Sequence, residues 1–493
     1  MAYSLCMASF TTHNPVNGAP IREHHIFEKD EIADALALSQ AATSLWSEMG
    51  FRARKKVLLR WCSLLLDRVD EIKDILCEET GKPKSDAQLE VILAASHLGW
   101  AARNAERVLM PSHRNAGLLM ANMSARVDHQ PVGVVGVIGP WNYPVFTPMG
   151  SIAYALAAGN TVLFKPSEFT PAVGELLAST FDEVAPFQGI LQTITGLGET
   201  GKHLCQSGVN KIAFTGSTRT AKIVAATCAE TMTPVVLECG GKDPVIVDID
   251  GDIKRAADGT IWSAMANAGQ SCIGAERVYV HEDVADRFIA ECVSIASKIK
   301  PGAPGEGNYG PATMPKQLSI IQRHIDDAIA RGGKVVMGGS SSVGKEFVQP
   351  VIITDVPEDC SAVTEETFGP TLVINRVSSI HDAIALSNAS SYGLGAAVWS
   401  KRHGKKIASQ LACGMVAINS TFSYAAVATV PFGGVKDSGY GRIHGPEGLL
   451  EFTYPRTMVR ARFQLPIAFT SFTRTPKIDA LIFKVTKILK GRG

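Results

Sequence analysis

No stretch of about 18 uninterrupted apolar residues occurs in this 493-residue chain, so nothing in it reads as a membrane span. The start, MAYSLCMASFTTHNP, has no basic segment followed by an apolar run and does not read as a secretory signal. Ten cysteines stand at positions 6, 62, 77, 205, 228, 239, 272, 292, 360 and 413. They include no CxxC pair and no Cys/His cluster of zinc-binding spacing, so no metal is expected. Scattered free thiols fit a reducing compartment, and the cytoplasm is the expected location. An excess of charge is also lacking: Lys+Arg 48 against Asp+Glu 47 leaves +1, which gives no reason to expect nucleic acid as a partner. There is no internal repeat and no low-complexity tract.

What is present is the balance of a compact enzyme, 46% hydrophobic and 19% charged, with Gly 45 and Pro 25 supplying many short turns. The length exceeds what one core serves, so two or three domains are expected. From 29 to 110, apolar positions recur three and four apart, as in VLLRWCSLLLDRVDEIKDIL, which predicts helices with Gly81-Lys82-Pro83 as a break. Between Ser124 and Asn142 the pattern turns to strand: ARVDHQ alternates, and VGVVGVIG is β-branched and glycine-punctuated. Strands TVLFKPS, KIAFTGS and PVVLECGG then alternate with helices AVGELLASTFDEV and TAKIVAATCAET, the signature of a parallel sheet with crossover helices. A second alternating block runs from about Asp252 to Ser420. The reading is two α/β domains joined near residue 240.

Seven strings carry candidate chemistry. Gly269-Gln270-Ser271-Cys272 offers a thiol that attacks a carbonyl once its thiolate is stabilised, although a lone cysteine is more often buried filler. Leu237-Glu238-Cys239-Gly240-Gly241-Lys242 follows a strand. A carboxylate there is costly to bury unless used or paired, and the glycines let backbone pass close to another group. The bland reading is a salt-bridged core glutamate. In Pro140-Trp141-Asn142-Tyr143-Pro144 an amide held between prolines can donate to a developing oxyanion, or the string is only a rigid turn. Lys165-Pro166-Ser167-Glu168 places a cation and a carboxylate at a strand's C-terminal end, where open sheets bind ligands. A surface ion pair is the alternative. Phe214-Thr215-Gly216-Ser217-Thr218 precedes a helix whose first N–H groups could hold a pyrophosphate. That string is not GxGxxG, and Ser217 as a plain N-cap competes. Glu365-Glu366-Thr367-Phe368-Gly369-Pro370 and the run from Pro431 to Gly441 each read singly as turns.

As an ordered set, WNYP, KPSE, FTGS, LExGGK, GQxC, EExFGP and PFGGxKxSGxG resemble the aldehyde dehydrogenase superfamily from about Asp30 to Thr457. The resemblance implies Cys272 as nucleophile, Glu238 as the base that activates the deacylating water, and Asn142 with the Cys272 N–H as oxyanion hole. It implies Lys165 and Glu168 at the adenosine ribose, Trp141, Gly216 and Ser217 along the cofactor, Glu366 at the nicotinamide ribose and Phe368 beside the ring. The fold so implied has two doubly wound α/β domains and a β-hairpin oligomerisation arm. Its parts are a cofactor-binding domain (1–122 and 136–239), a catalytic domain (240–440), an arm (123–135 and 450–462) and a tail (463–493).

The chain departs from the family pattern at Ala221, Cys239, Asp243 and Ile443, which stand where Gly, Leu, Asn and Glu are commoner. Expected activity is oxidation of an aldehyde to the acid with NAD, or NADP, by a hydrolysed Cys272 thioester. A hydrophobic or aromatic substrate is favoured over a semialdehyde, and an idle binding protein on this fold is the reading from another class. A homodimer or homotetramer is expected. The tail carries nine Lys/Arg from Arg456 onward against Asp479, and IDALIFKVTKILK reads as a basic amphipathic helix, a candidate for peripheral membrane contact.

Overall fold

The computed structural model describes residues 8–464 and 471–490. Helices Lys29–Glu48, Gly50–Asp67, Val69–Thr80 and Lys84–Leu109 occupy the segment of helical periodicity. The first is closed by a capping box between Glu28 and Glu31, which satisfies donors that a helix start leaves free. The third stops at Gly81, whose φ of 70° is left-handed. An antiparallel hairpin of Ser9–His13 and Pro20–His25 precedes them. The alternation test passes over it because neither strand has a continuous apolar face: the burial pattern is mostly exposed.

Two large sheets follow. The first has six strands in the order Gly439–Tyr440, Val235–Cys239, Lys211–Gly216, Val134–Ile138, Thr161–Lys165 and Leu191–Thr193. The chain enters at Val134–Ile138 and pairs parallel on one side with Thr161–Lys165 and on the other with Lys211–Gly216. That reversal of winding leaves a crevice beyond the strands' C-terminal ends, where open sheets bind ligands. The second sheet has seven strands: Lys334–Met337, Val351–Thr354, Thr371–Val377, Ala275–His281, Asp243–Val247, Gly395–Trp399 and Met415–Ile418. Only the edge strand Lys334–Met337 is antiparallel. Val245, Val247, Val278, Val280 and Ile374 form its core with helices Ile253–Met265 and Glu282–Ala296.

The chain passes from the first sheet to the second through Gly240, Gly241 and Lys242, between Val235–Cys239 and Asp243–Val247. It then returns. Gly439 pairs with Glu238 and Tyr440 with Leu237, antiparallel, so the last two residues of the expected 240–440 segment belong to the first sheet. The expectation divides the chain where the linear alternation ends, and a two-residue strand has too little pattern to reveal the return.

Among the described residues, 109–130, 455–464 and 471–490 form a separate unit. Its sheet has three strands, Thr453–Ala461, Met123–Pro131 and Ser112–Arg114, with Met123–Pro131 central. Asp128 is paired with Arg126 and Arg456. Helix Pro476–Lys490 carries Leu481, Phe483 and Ile488 exposed. The parts of the expected tail at 465–470 and 491–493 lie outside the described residues. Among the described residues no helix is long and apolar enough to cross a membrane.

Candidate active site

The loop that presents Cys272 is built at a conformational cost. After helix Ile253–Met265 the backbone turns through Asn267 (φ 51°), Ala268 (φ 57°) and Gly269 (φ 70°), three successive left-handed residues of which two are not glycine. Such residues cost on the order of 1–3 kcal/mol each and persist only where their surroundings hold them. Here the holding is done by side chains. Gln270 Oε1 accepts from the Thr313 N–H at 2.9 Å, and its Nε2 donates to the carbonyls of Asn267 (2.9 Å) and Pro311 (3.2 Å). A Cβ on Gly269 would lie 2.1 Å from the Gly369 carbonyl oxygen, so this position accepts only glycine. Cys272 is left half-buried on the wall of a cleft.

Glu238 ends the strand Val235–Cys239 and is 3% exposed, yet neither carboxylate oxygen accepts a hydrogen bond. A buried carboxylate without donors is held towards its neutral form. Burial pushes the Glu238 pKa up to about 8, the Cys272 thiol pulls it down in part, and the Asp243 charge adds to the rise. Cys272 responds in kind: burial raises its thiol well above the ordinary value, and the charges of Glu238, Asp243 and Glu366 raise it further. Thiol and carboxylate thus hold their protons more firmly than in water. Asn142 is buried beside them, its Nδ2 donating to the Gln270 carbonyl at 3.1 Å.

All ten residues singled out from sequence line one cleft of about 650 Å³: Trp141, Asn142, Lys165, Glu168, Gly216, Ser217, Glu238, Cys272, Glu366 and Phe368. Strand register accounts for several of them. Ile138 pairs with Lys165 and Phe214, and Gly216 pairs with Cys239, so the C-terminal ends of four strands open on the same side. Lys165 is 4% exposed, donates to the Pro166 carbonyl at 2.9 Å, and is held below the ordinary lysine pKa by burial. Glu168 is exposed at the mouth. Ser217 accepts from the Thr220 N–H at 3.3 Å and so caps helix Thr218–Ala229, the plain reading of that serine, while also lining the cleft.

Glu366 approaches because Gly240 has no side chain: a Cβ there would lie 2.1 Å from Glu366 Oε1. That oxygen accepts the Gly241 N–H at 3.0 Å. Burial pushes the Glu366 pKa up to about 8. Phe368 sits edge-on to Trp141, ring centres 5.5 Å apart.

Three features escaped the sequence reading. A GxGxxG string does exist, at Gly196-Leu197-Gly198-Glu199-Thr200-Gly201. It follows strand Leu191–Thr193 and opens helix Gly198–Gln206, and both Gly198 and Gly201 line the cleft. A scan for the spacing finds it at once. Lys242 is buried against Glu276, and Glu276 accepts the N–H groups of Thr367 and Phe368 at 2.8–3.1 Å, pinning the loop that carries Glu366. Lys82 and Glu90 form a second buried pair behind Asn142. No local string announces either pair. A long crevice at a winding switch point, with glycine-opened helix starts, ribose-suited carboxylates and an aromatic wall, fits a nicotinamide dinucleotide.

The sequence pattern described as the aldehyde dehydrogenase family matches residues 5–458. The chain is 35% identical over 464 residues to the 4,4'-diapolycopene aldehyde oxidase of Methylomonas sp, covering 93% of this chain and 87% of that protein. It is likewise 35% identical over 462 residues to the NADP(+) succinate-semialdehyde dehydrogenase of Deinococcus radiodurans, covering 92% and 94%. The crystal structure of the NAD-dependent aldehyde dehydrogenase from Sinorhizobium meliloti superposes with a TM-score of 0.90 at 29% identity, covering 94% of this chain and 93% of that one. A pattern of that extent and relatives of that coverage place the chain in the aldehyde dehydrogenase family, as an aldehyde-oxidising oxidoreductase that uses NAD or NADP.

Proposed function

We propose that the chain oxidises a hydrophobic aliphatic or aromatic aldehyde to its carboxylic acid through a thioester on Cys272. The observation that carries the reading is the meeting of Cys272, Glu238 and Asn142 on one cleft wall, with Glu238 buried and both its oxygens without a donor. The cofactor, when bound, supplies the hydride acceptor. The Cys272 thiolate, its proton released to solvent, attacks the aldehyde carbon, and Asn142 Nδ2 with the Cys272 N–H receives the oxyanion. Glu238, free of fixed partners, then takes a proton from the water that cleaves the thioester. A carboxylate in that position favours hydrolysis over transfer to another thiol.

Glu168 at the cleft mouth favours NAD, because its charge opposes a 2′-phosphate, while Lys165 and Arg219 in the same cleft leave NADP usable. For substrate, Tyr143 and Tyr424 lie within electrostatic reach of the nucleophile. Both phenols are raised chiefly by burial, and the Cys272 charge contributes to each. Aromatic neighbours suit an apolar aldehyde, and one relative is named as a 4,4'-diapolycopene aldehyde oxidase. A semialdehyde is the second reading, favoured by relatives named for succinate and glutarate semialdehydes.

In this proposal the first sheet and its helices bind cofactor, the second carries the nucleophile, and the three-stranded unit is the arm of a homodimer or homotetramer. The enzyme is cytoplasmic, its basic tail helix resting on anionic membrane.

Two measurements test the chemistry. A kinetic panel of aldehydes differing in chain length and terminal charge should show kcat/KM rising with apolar length; a preference for ω-carboxylated aldehydes selects the semialdehyde reading instead. Glu238→Gln should keep a burst of reduced cofactor while steady turnover drops by about 10²–10⁴-fold, and Cys272→Ala should lose the burst while binding cofactor. Robust turnover by Cys272→Ala would remove the assignment.

A further inference from the structure

Lys82 is 1% exposed and plays no part in the chemistry above. Its Nζ donates to Glu90 Oε2 at 2.6 Å and to the backbone carbonyl of Asn142 at 2.8 Å. The same carbonyl accepts Asn267 Nδ2 at 3.0 Å. Glu90, also 1% exposed, turns its other oxygen to the N–H groups of Val145 (2.8 Å) and Phe146 (3.1 Å), where helix Phe146–Ala158 begins. One buried ion pair therefore grips both ends of the turn 142–146.

The lysine is itself fixed. It follows Gly81 (φ 70°), where a Cβ would lie 2.4 Å from Pro311 Cδ. The Thr80 carbonyl accepts Thr313 Oγ1 at 3.2 Å, and the Thr313 N–H donates to Gln270 Oε1 at 2.9 Å. Asn142 Nδ2 closes the circuit on the Gln270 carbonyl, two residues before Cys272. The 80–82 turn, the Asn142 turn and the nucleophile loop are thus one hydrogen-bonded lattice. The charges that act most on Cys272 are Glu238, Asp243 and Glu366, whereas Lys82 is joined to the nucleophile loop through the hydrogen bonds at the Asn142 carbonyl.

We propose that Lys82 and Glu90 are a positioning pair for the oxyanion site, fixing where the Asn142 amide stands relative to Cys272 Sγ and so setting the rate of acylation. The inference rests on the roles given above to Cys272 and Asn142. A misplacement of about 1 Å in such a site costs on the order of 10²-fold in rate.

The test must not leave a lone buried charge, since that alone can unfold the chain. The double variant Lys82→Met/Glu90→Gln removes both charges, keeps the side-chain volumes, and leaves an oxygen to accept from Val145 and Phe146. Its burst of reduced cofactor should be slower by about 10–100-fold, with NAD affinity at the parental value. In an Asn142→Ala background the same pair of changes should cost nothing further, because interaction through a shared residue is non-additive. A parental burst rate in the double variant, or losses that multiply in the Asn142→Ala background, would overturn the proposal. Asn142→Ala with a parental burst would overturn the oxyanion role itself, a separate failure. If the double variant does not fold, Lys82→Arg retains the charge and alters its reach; it should show the same selective slowing, and a parental burst would count against the pair.

Discussion

At the scale of single residues, the site is organised by carboxylates that hold one another's protons. Glu238 and Cys272 are each raised by burial first and by the Asp243 charge in addition, and Asp243 is itself pushed up to about 7 by burial. In the base role proposed for Glu238 the carboxyl must lose its proton, so turnover should climb with pH through the region near 8. Asp243→Asn keeps an oxygen to accept the Gly395 N–H, as Oδ1 does at 3.0 Å, while deleting the charge. Removing a negative neighbour lowers the pKa of both groups, so the rising limb of the kcat profile should move to lower pH. A limb that stays in place, measured by stopped-flow and steady-state rates across pH 6–9, would show that Asp243 does not tune the site. Residues of this kind were legible in sequence because each sits in a string whose neighbours betray it. Lys82 and Glu276 were not: their partners lie 8 and 34 positions away, and only folding brings lysine and carboxylate together.

At the scale of elements, the alternation of strand and helix read from the sequence places most of both sheets, because buried parallel strands are short β-branched runs. It misses Gly395–Trp399, a central strand written GAAVW. Two alanines and a glycine have little strand propensity, and the glycine is there for space: a Cβ on Gly395 would lie 2.3 Å from Tyr424 Oη and 2.4 Å from Asp243 Oδ2. The tail helix Pro476–Lys490 was read correctly in type, since its period is local and complete. On a helical wheel Ile478, Leu481, Ile482, Val485 and Ile488 share one arc, with Lys477 and Lys484 along its edge and Lys487 opposite. Each lysine near an anionic surface contributes about 1 kcal/mol, enough for reversible association. Full-length protein should therefore co-sediment with phosphatidylserine-containing liposomes, and a chain ending at Arg474 should partition several-fold less. Equal partitioning of the two, or indifference to lipid charge, would leave the helix a packing role only.

At the scale of the whole enzyme unit, segments far apart in sequence converge on two histidines that the chemistry does not use. His97, on helix Lys84–Leu109, and His444, just before helix Gly445–Glu451, lie with ring centres 3.9 Å apart, enclosed by Phe146, Tyr154 and Phe432. His444 fits because residue 150 is glycine, where a Cβ would lie 2.5 Å from its Nε2. His97 Nε2 donates to the Ala425 carbonyl at 2.9 Å and its Nδ1 faces Tyr154 Oη at 3.5 Å, whereas neither nitrogen of His444 has a partner. Sequence suggested nothing of this, since a buried histidine pair is a product of packing between three segments. Its consequence is a pH dependence of stability. Burial lowers His97 to about 4 against the Ala425 hydrogen bond, and burial with the neighbouring His97 holds His444 well below the usual range. In the unfolded chain both titrate near 6.5. The unfolded state therefore takes up protons first, so the stability that neutral histidines contribute is present above about pH 6.5 and is lost as pH falls towards 4. At about 1.4 kcal/mol per unit, His97 alone accounts for roughly 3 kcal/mol across that window. The drop in melting temperature between pH 7 and pH 5 should be smaller in His444→Leu than in the parent, each compared with itself so that any loss of packing cancels. Equal drops would place the acid sensitivity of the fold elsewhere.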